Sequence, residues 1–114
     1  YNYKGVLCST VLGEFILHVL KDVKEPNEQA LMLEFISKFS RKTKPVYSSI
    51  KYDSFNIVSR IKEIDRAAED MDSIHLANCI QDNGTTFVTL DEKLIGNTAI
   101  EKEFGIKILH PKEL

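Results

Sequence analysis

The chain has 114 residues, of which 43% are hydrophobic and 28% are charged. These are ordinary values for a folded protein, and they exclude extensive disorder. A chain of this length is expected to form one domain with its own hydrophobic core. Fifteen basic and seventeen acidic residues give a formal net charge of -2, which excludes nucleic-acid binding through a global excess of positive charge.

A nucleic-acid partner would therefore have to meet a local basic patch. The best candidate combines Lys38, Arg41, Lys42 and Lys44, although most charge runs of this kind are simply solvated surface. No apolar run approaches the roughly 20 residues of a membrane span, and no signal-peptide pattern opens the chain. Cys8 and Cys79 show no metal-ligand spacing and are predicted to be reduced thiols. These features predict a cytoplasmic protein without a membrane partner.

The first half of the chain predicts one strand and three helices. Residues 3–7 are typical of a short strand, and Ser9 or Thr10 is expected to cap the helix that follows. A second helix is predicted over residues 27–39, and a third helical stripe runs through residues 46–63. The residues expected to face inward from the second helix are Leu31, Phe35, Ile36 and Phe39.

The second half predicts a β-α-β unit that follows a buried helix. The helix covers residues 67–80 and ends at Asn83-Gly84, a pair suited to a left-handed C-terminal cap. Strands are predicted over residues 87–90 and 106–109, and between them Thr98-Ala-Ile-Glu101 is a capping box whose short helix Gly105 closes. Such crossovers join parallel strands, and α/β proteins place ligands at the carboxyl edge of those strands.

Three acids stand out against this background. Asp72 interrupts the nearly apolar run 71–80, and Asp91 ends the strand-like run 85–90. An ionised carboxylate taken out of water costs several kcal/mol unless a cation or a donor compensates it, so these acids point to a metal ion or a proton. Glu14 adds a third acid on a third element. Mg²⁺ and Mn²⁺ prefer such oxygen ligands, whereas zinc spacing, a Gly-rich phosphate loop and a nucleophile elbow are all lacking in the sequence.

Several segments resemble one known family. Asp72-Ser-Ile-His-Leu-Ala, Thr-Phe-Val-Thr89-Leu-Asp91-Glu-Lys-Leu and Phe104-Gly-Ile-Lys-Ile-Leu-His-Pro-Lys-Glu-Leu are similar to the C-terminal half of a PIN domain. Leu7-Cys-Ser-Thr-Val-Leu-Gly-Glu14-Phe resembles the second conserved segment of that family, with Glu14 as its acid. The resemblance covers almost the whole chain. It implies an α/β fold of three layers, α/β/α, with a central parallel sheet.

The resemblance also implies a function. PIN domains are metal-dependent nucleases, and many are toxins of the VapC type in toxin-antitoxin pairs. By this resemblance Glu14, Asp72 and Asp91 are the catalytic and metal-binding residues, and Thr89 supports them through a metal-bound water. Mg²⁺ or Mn²⁺ is the expected cofactor and RNA the expected substrate. An antitoxin protein and a second copy in a homodimer are the expected partners.

Other interpretations remain beside this one. The family opens with a strand that ends in its first metal-binding aspartate, and this chain begins after that point, since Asn2 is no substitute. We therefore expect a single PIN-like domain over residues 1–114 without its first strand and helix. The main alternative is a catalytically inactive PIN-like scaffold that binds a protein or RNA, and a receiver-like or nucleotide-binding domain is a third. A structural role is the alternative for two residues: Asp72 would pair with Arg66, and His75 would be a core histidine.

Overall fold

A computed structural model describes residues 4–114, so Asn2 and Tyr3, where the predicted first strand begins, lie outside the described residues. The described chain divides into two compact units, with the boundary between Ser49 and Ile50. The first unit contains β1 (Val6–Cys8), α1 (Ser9–Asp22), α2 (Pro26–Thr43) and β2 (Val46–Ser48). The second unit contains α3 (Tyr52–Ile64), α4 (Asp70–Gln81), β3 (Thr86–Val88), α5 (Thr98–Phe104), β4 (Lys107–Leu109) and a short 3-10 helix (Pro111–Glu113).

In the first unit, β1 and β2 pair in parallel, with Val6 opposite Val46. Helix α2 begins where the Glu25 carboxylate accepts hydrogen bonds from two backbone N–H groups of the first turn, at 3.1 and 2.9 Å. Pro26 occupies the first helical position, where its missing N–H is not needed. The helix ends at Lys44, which adopts a left-handed conformation with φ 48°.

The helices of the first unit leave most of their apolar side chains in solvent. Val19 is the buried residue of α1, and α2 buries none. Four residues of the second helix were predicted to face inward, and the prediction is wrong for three of them. Leu31, Phe35 and Phe39 are 65%, 63% and 47% exposed. Helical periodicity correctly predicts that an apolar face exists. It does not show that another surface of the unit covers that face.

The predicted helical stripe over residues 46–63 is wrong in its first part. Val46–Ser48 is the strand β2, and α3 begins only at Tyr52. Val46 and Tyr47 favour extended structure, and Val46 donates its backbone N–H to the Gly5 carbonyl at 2.9 Å. Pairing with β1 thus decides the conformation of a segment whose apolar spacing also fits a helix.

In the second unit, α3 and α4 pack against each other and against the β3-α5-β4 segment. β3 and β4 are parallel, with Phe87 opposite Ile108, which confirms the predicted β-α-β unit. Its left-handed caps are confirmed as well: Asn83 follows α4 with φ 59°, and Gly105 closes α5 with φ 62°. The core consists of Ile61, Ala68, Leu76, Ala77, Leu94, Ile100, Ile106 and Ile108.

The capping box predicted at α5 is wrong in its residues. Asn97, not Thr98, is the cap, and its side-chain oxygen accepts the Ile100 N–H at 3.2 Å. Glu101 instead accepts the backbone N–H of Ile108 at 3.0 Å, which ties the helix to β4. The Asn97 amide also donates to Asp65 at 3.1 Å and so links α5 to the end of α3. These longer-range partners determine which polar residue caps the helix.

The predicted three-layer α/β/α fold with a central parallel sheet is wrong. Helices dominate residues 4–114, and the described strands form two separate two-stranded parallel sheets, β1-β2 and β3-β4. Each strand has only three residues, and Val6, Val46 and Val88 are exposed. A central parallel sheet needs longer strands that are buried on both faces. The prediction of parallel pairing is confirmed for β3 and β4. The prediction that the strands form one central sheet is wrong.

Candidate functional site

The first candidate acid, Asp72, lies in the first turn of α4 and is half-buried. Its helix follows Glu69, whose backbone carbonyl accepts hydrogen bonds from both the backbone N–H and the hydroxyl of Ser73, at 2.9 and 2.8 Å. Leu76 and Ala77 of the same helix are fully buried in the core. Packing of that apolar face fixes the rotation of α4 and therefore the place of Asp72 at its edge.

The second acid, Asp91, is held by a turn that follows β3. The Thr89 hydroxyl accepts the Asp91 N–H at 3.1 Å, and Asp91 Oδ1 accepts the Lys93 N–H at 2.9 Å. Local bonds of this kind orient a carboxylate without any distant partner. Leu94 is fully buried, and its N–H donates to the Asp91 carbonyl at 3.1 Å. The turn is therefore anchored on both sides of Asp91.

Asp72 and Asp91 form a carboxyl pair, which we call the aspartate pair. The pKa of Asp72 is raised to about 6, first by burial and then by its hydrogen bond with Asp91 and the negative charge of Asp91. The negative charge of Glu69 acts in the same direction, and His75 opposes it. The raised pKa agrees with the general tendency of neighbouring carboxylates to resist ionisation. Its largest cause, however, is desolvation and not repulsion.

The hydrogen bond within the aspartate pair exists only while one carboxyl carries a proton. When both are ionised they offer four oxygen acceptors and no donor, and Asp91 Oδ2 is buried without a hydrogen-bond partner. A buried acceptor without a donor costs about 1–3 kcal/mol, and more when it is charged. A proton or a cation between the two side chains removes that cost. The geometry is therefore one that binds a positive species.

No lysine or arginine of residues 4–114 lies within ion-pairing distance of either member of the pair. The predicted alternative partner of Asp72, Arg66, is thus not found beside it. Other acids of the second unit do have cations: Asp70 pairs with Lys62 at 2.9 Å, and Asp82 pairs with Lys51 at 3.0 Å. The aspartate pair has no such cation, and its partly buried position separates it from an ordinary surface charge.

The remaining predicted residues take different places. Glu14 lies in α1 of the first unit and is half-buried, so its assignment as a ligand rests on the resemblance alone. His75 is buried in α4, as expected of a core histidine. Within each unit, the described residues bring together no group of three or more His, Cys, Asp or Glu side chains suited to a metal ion. Sequence reasoning missed Glu69, although its position three residues before Asp72 predicts proximity on a helix.

Comparison of the chain with protein-family models, with curated proteins and with solved structures gives no significant match. None of the helices in residues 4–114 is long and apolar enough to cross a membrane. Cys8 and Cys79 form no disulfide bond.

Proposed function

We propose that this chain is a divalent-metal-dependent ribonuclease of the PIN type, in which Asp72 and Asp91 bind the ion. The observation that carries the proposal is the buried Asp91 oxygen, which faces no donor in a pair of carboxylates without a lysine or arginine partner. The order of the three acidic segments, which resembles that of PIN nucleases, supports the same chemistry. The role of Glu14, in the first unit, stays a prediction of that resemblance.

The side chains of the pair fit Mg²⁺ or Mn²⁺. Both ions take carboxylate oxygens and keep several waters, so two monodentate aspartates leave coordination positions for water and for a phosphate oxygen. Softer metals would need His or Cys ligands at suitable spacing, which the pair does not provide. Such an ion supplies activation of water and stabilisation of negative charge on the phosphodiester.

The residues of the chain have separate tasks in this proposal. Thr89 and the Lys93 N–H hold the Asp91 carboxylate in one orientation, so that Oδ2 is presented in a dry environment. Asp72, with its pKa near 6, changes its protonation state close to neutral pH. It can therefore release its proton when a cation arrives, and accept a proton when the cation leaves. No side-chain nucleophile is required.

The experiment is a cleavage assay on a mixed-sequence single-stranded RNA with Mg²⁺, with Mn²⁺, and with chelator. We expect cleavage only with metal, and a decrease of more than about 100-fold in Asp72→Asn and Asp91→Asn, because losing even an outer-shell partner costs roughly 10- to 100-fold. Glu14→Gln tests the third acid. Asp70→Asn is the matched control, since it changes the same charge in the same helix turn and should cleave normally. Equal cleavage by Asp91→Asn, or no cleavage by any form, contradicts the proposal.

A second candidate is a binding module without catalytic activity. It is favoured by the exposed apolar face of α1, where Ile16, Leu17 and Leu20 share one side of the helix and are all in solvent. Such a face suits a protein partner, which would be an antitoxin or a second copy of the chain in a homodimer. We place either activity in the cytoplasm, where cysteines without a disulfide bond, such as Cys8 and Cys79, stay reduced.

Sedimentation and cleavage together separate the two candidates. If the chain is a binding module, Leu17→Asp abolishes self-association or partner binding, and RNA stays intact with every metal. If the nuclease is correct, Leu17→Asp retains metal-dependent cleavage. Lys21→Glu, an exposed charge change in the same helix, is the control for a non-specific effect of added negative charge on α1.

A further inference from the structure

The last turns of α2 combine two exposed aromatic rings with positive charge. Phe35 and Phe39 stack on each other with ring centroids 6.2 Å apart and an interplanar angle of 26°. Lys38 and Lys42 follow these rings at helical spacings of three residues, so all four side chains lie on one side of the helix. We call Phe35, Lys38, Phe39 and Lys42 the α2 face. Two exposed phenylalanines in contact are unusual on a protein surface and indicate a binding site.

Positive charge dominates the C-terminal side of the α2 face. From Phe35 to Ser49 the sequence contains Lys38, Arg41, Lys42 and Lys44 and no acidic residue. Lys38 forms an exposed pair with Glu34 at 3.1 Å, and Arg41 donates to the Ser37 hydroxyl at 2.9 Å. Lys42 and Lys44 have no acidic partner within residues 4–114. Lys42 on the face and Lys44 at the end of the helix are thus available to an anionic ligand.

The chemistry of the α2 face selects among partners. An apolar protein surface would cover the rings but would also desolvate the lysines. A second copy of the chain, bound through the same face, would bring like charges together, which is unfavourable. A single-stranded nucleic acid suits both the rings and the lysines of the α2 face, because its bases stack on aromatic rings and its phosphates pair with lysine. A duplex keeps its bases stacked inside and would meet only the charges.

We propose that the α2 face binds single-stranded nucleic acid, with bases stacked on Phe35 and Phe39 and the backbone paired with Lys42 and Lys44. This extends the proposed function, because under it the bound strand is the RNA substrate. Binding itself requires neither the aspartate pair nor a metal ion. The two proposals can therefore fail independently.

The test is fluorescence anisotropy of a labelled oligouridylate of about ten nucleotides, measured in chelator so that no cleavage occurs. We expect Phe35→Ala and Phe39→Ala each to weaken binding by about tenfold at constant salt. Lys42→Gln and Lys44→Gln should each reduce the salt slope of log K by about 0.7, the value for one phosphate contact on a single strand. A duplex of the same length should bind at least tenfold more weakly, and a DNA strand tests whether the sugar is read.

The controls are exposed residues of the neighbouring helix: Val11→Ala for the apolar side chains and Lys21→Gln for the charges. Both should leave affinity and salt slope unchanged. Circular dichroism confirms that each variant is folded. Unchanged RNA affinity in Phe35→Ala/Phe39→Ala overturns the proposal, and so does a change from dimer to monomer in that variant without loss of RNA binding. If the strand binds at the α2 face but is never cut with metal, the nuclease proposal fails and this one stands.

Discussion

The hydroxyl oxygen of Thr89 accepts a hydrogen bond from the backbone N–H of Asp91 at 3.1 Å. This bond fixes the turn in which Asp91 Oδ1 accepts the Lys93 N–H, and it leaves Oδ2 buried without a donor. Thr89 was predicted to act through a water on the metal. The structure assigns its hydroxyl a direct bond to the backbone of a proposed metal ligand, so Thr89 is a positioning residue.

Thr89→Val tests this positioning role. Valine keeps the shape and the strand preference of threonine but cannot accept the Asp91 N–H, which costs about 1 kcal/mol. Because the orientation of Asp91 depends on that bond, we expect Mn²⁺ affinity to fall by about fivefold, measured by calorimetric titration. Thr89→Ser keeps the hydroxyl and should restore the affinity. Equal Mn²⁺ affinity in the valine and serine variants would show that the hydroxyl has no such role.

Asp72→Asn should stabilise the metal-free protein above neutral pH. The folded state raises the pKa of Asp72 from 3.8 to about 6, so folding is favoured by its proton below about pH 4, and this contribution is lost as the pH rises through 6. An asparagine amide instead offers Asp91 a donor at every pH. Two pKa units correspond to roughly 3 kcal/mol, but a half-exposed charge is screened, so we expect about 1 kcal/mol near pH 8.

Urea denaturation in chelator, near pH 4 and near pH 8, measures this difference. The stability of Asp72→Asn should exceed that of the parent near pH 8, and the two should approach each other near pH 4. Asp70→Asn, which removes an exposed charge paired with Lys62, should show no such gain. A less stable Asp72→Asn protein near pH 8 would count against the strained aspartate pair.

Gly84→Ala should destabilise the second unit. A Cβ at this position would lie 2.5 Å from the Cys79 sulfur and 2.9 Å from the Cys79 carbonyl oxygen. That oxygen cannot move away, because it accepts a hydrogen bond from the Gly84 N–H. We expect a loss of about 1–3 kcal/mol in free energy of unfolding. Gly13→Ala is the contrast, because its Cβ meets no atom within 4 Å, and it should gain about 0.4–1 kcal/mol. Denaturation followed by circular dichroism compares the two, and a neutral Gly84→Ala would contradict the close packing.

Local chemistry explains which parts of the fold the sequence predicted. Asn83 and Gly105 adopt the left-handed conformations expected of them, because few other residues tolerate a positive φ at a helix end. The parallel pairing of β3 with β4 follows from a short helix between two strands. The predicted central sheet is wrong because strand pairing over long separations depends on backbone partners that no local pattern identifies.

The candidate site was predictable in part for the same reason. Asp72 and Asp91 stand out because each interrupts an apolar run, and the structure brings them into hydrogen-bonding range. The sequence does not reveal that the Asp91 N–H donates to the Thr89 hydroxyl, or that Asp91 Oδ1 accepts the Lys93 N–H. Burial is equally hard to predict, since the periodic residues of α2 predicted a core face and became an exposed one. The rings of Phe35 and Phe39 are a functional signal only once their exposure is known.

Metal binding by the aspartate pair should depend on pH in a specific way. A divalent ion must displace the proton of Asp72, so its apparent affinity should be constant above about pH 7 and fall about tenfold for each pH unit below 6. The charges of Asp91 and Glu69 raise the pKa of Asp72, and His75 lowers it. Calorimetric titration with Mn²⁺ at constant ionic strength measures the midpoint of this dependence.

Asp72→Asn should bind Mn²⁺ weakly and with little dependence on pH between 5 and 7, because the asparagine has no proton to displace. Asp70→Asn should retain the midpoint near 6. A parent midpoint near 4 would instead place the ion on ordinary surface carboxylates, whose pKa values lie there. That result would contradict the metal site at the aspartate pair, whereas a midpoint near 6 that disappears in Asp72→Asn would assign the ion to the one carboxyl whose pKa the fold raises to this value.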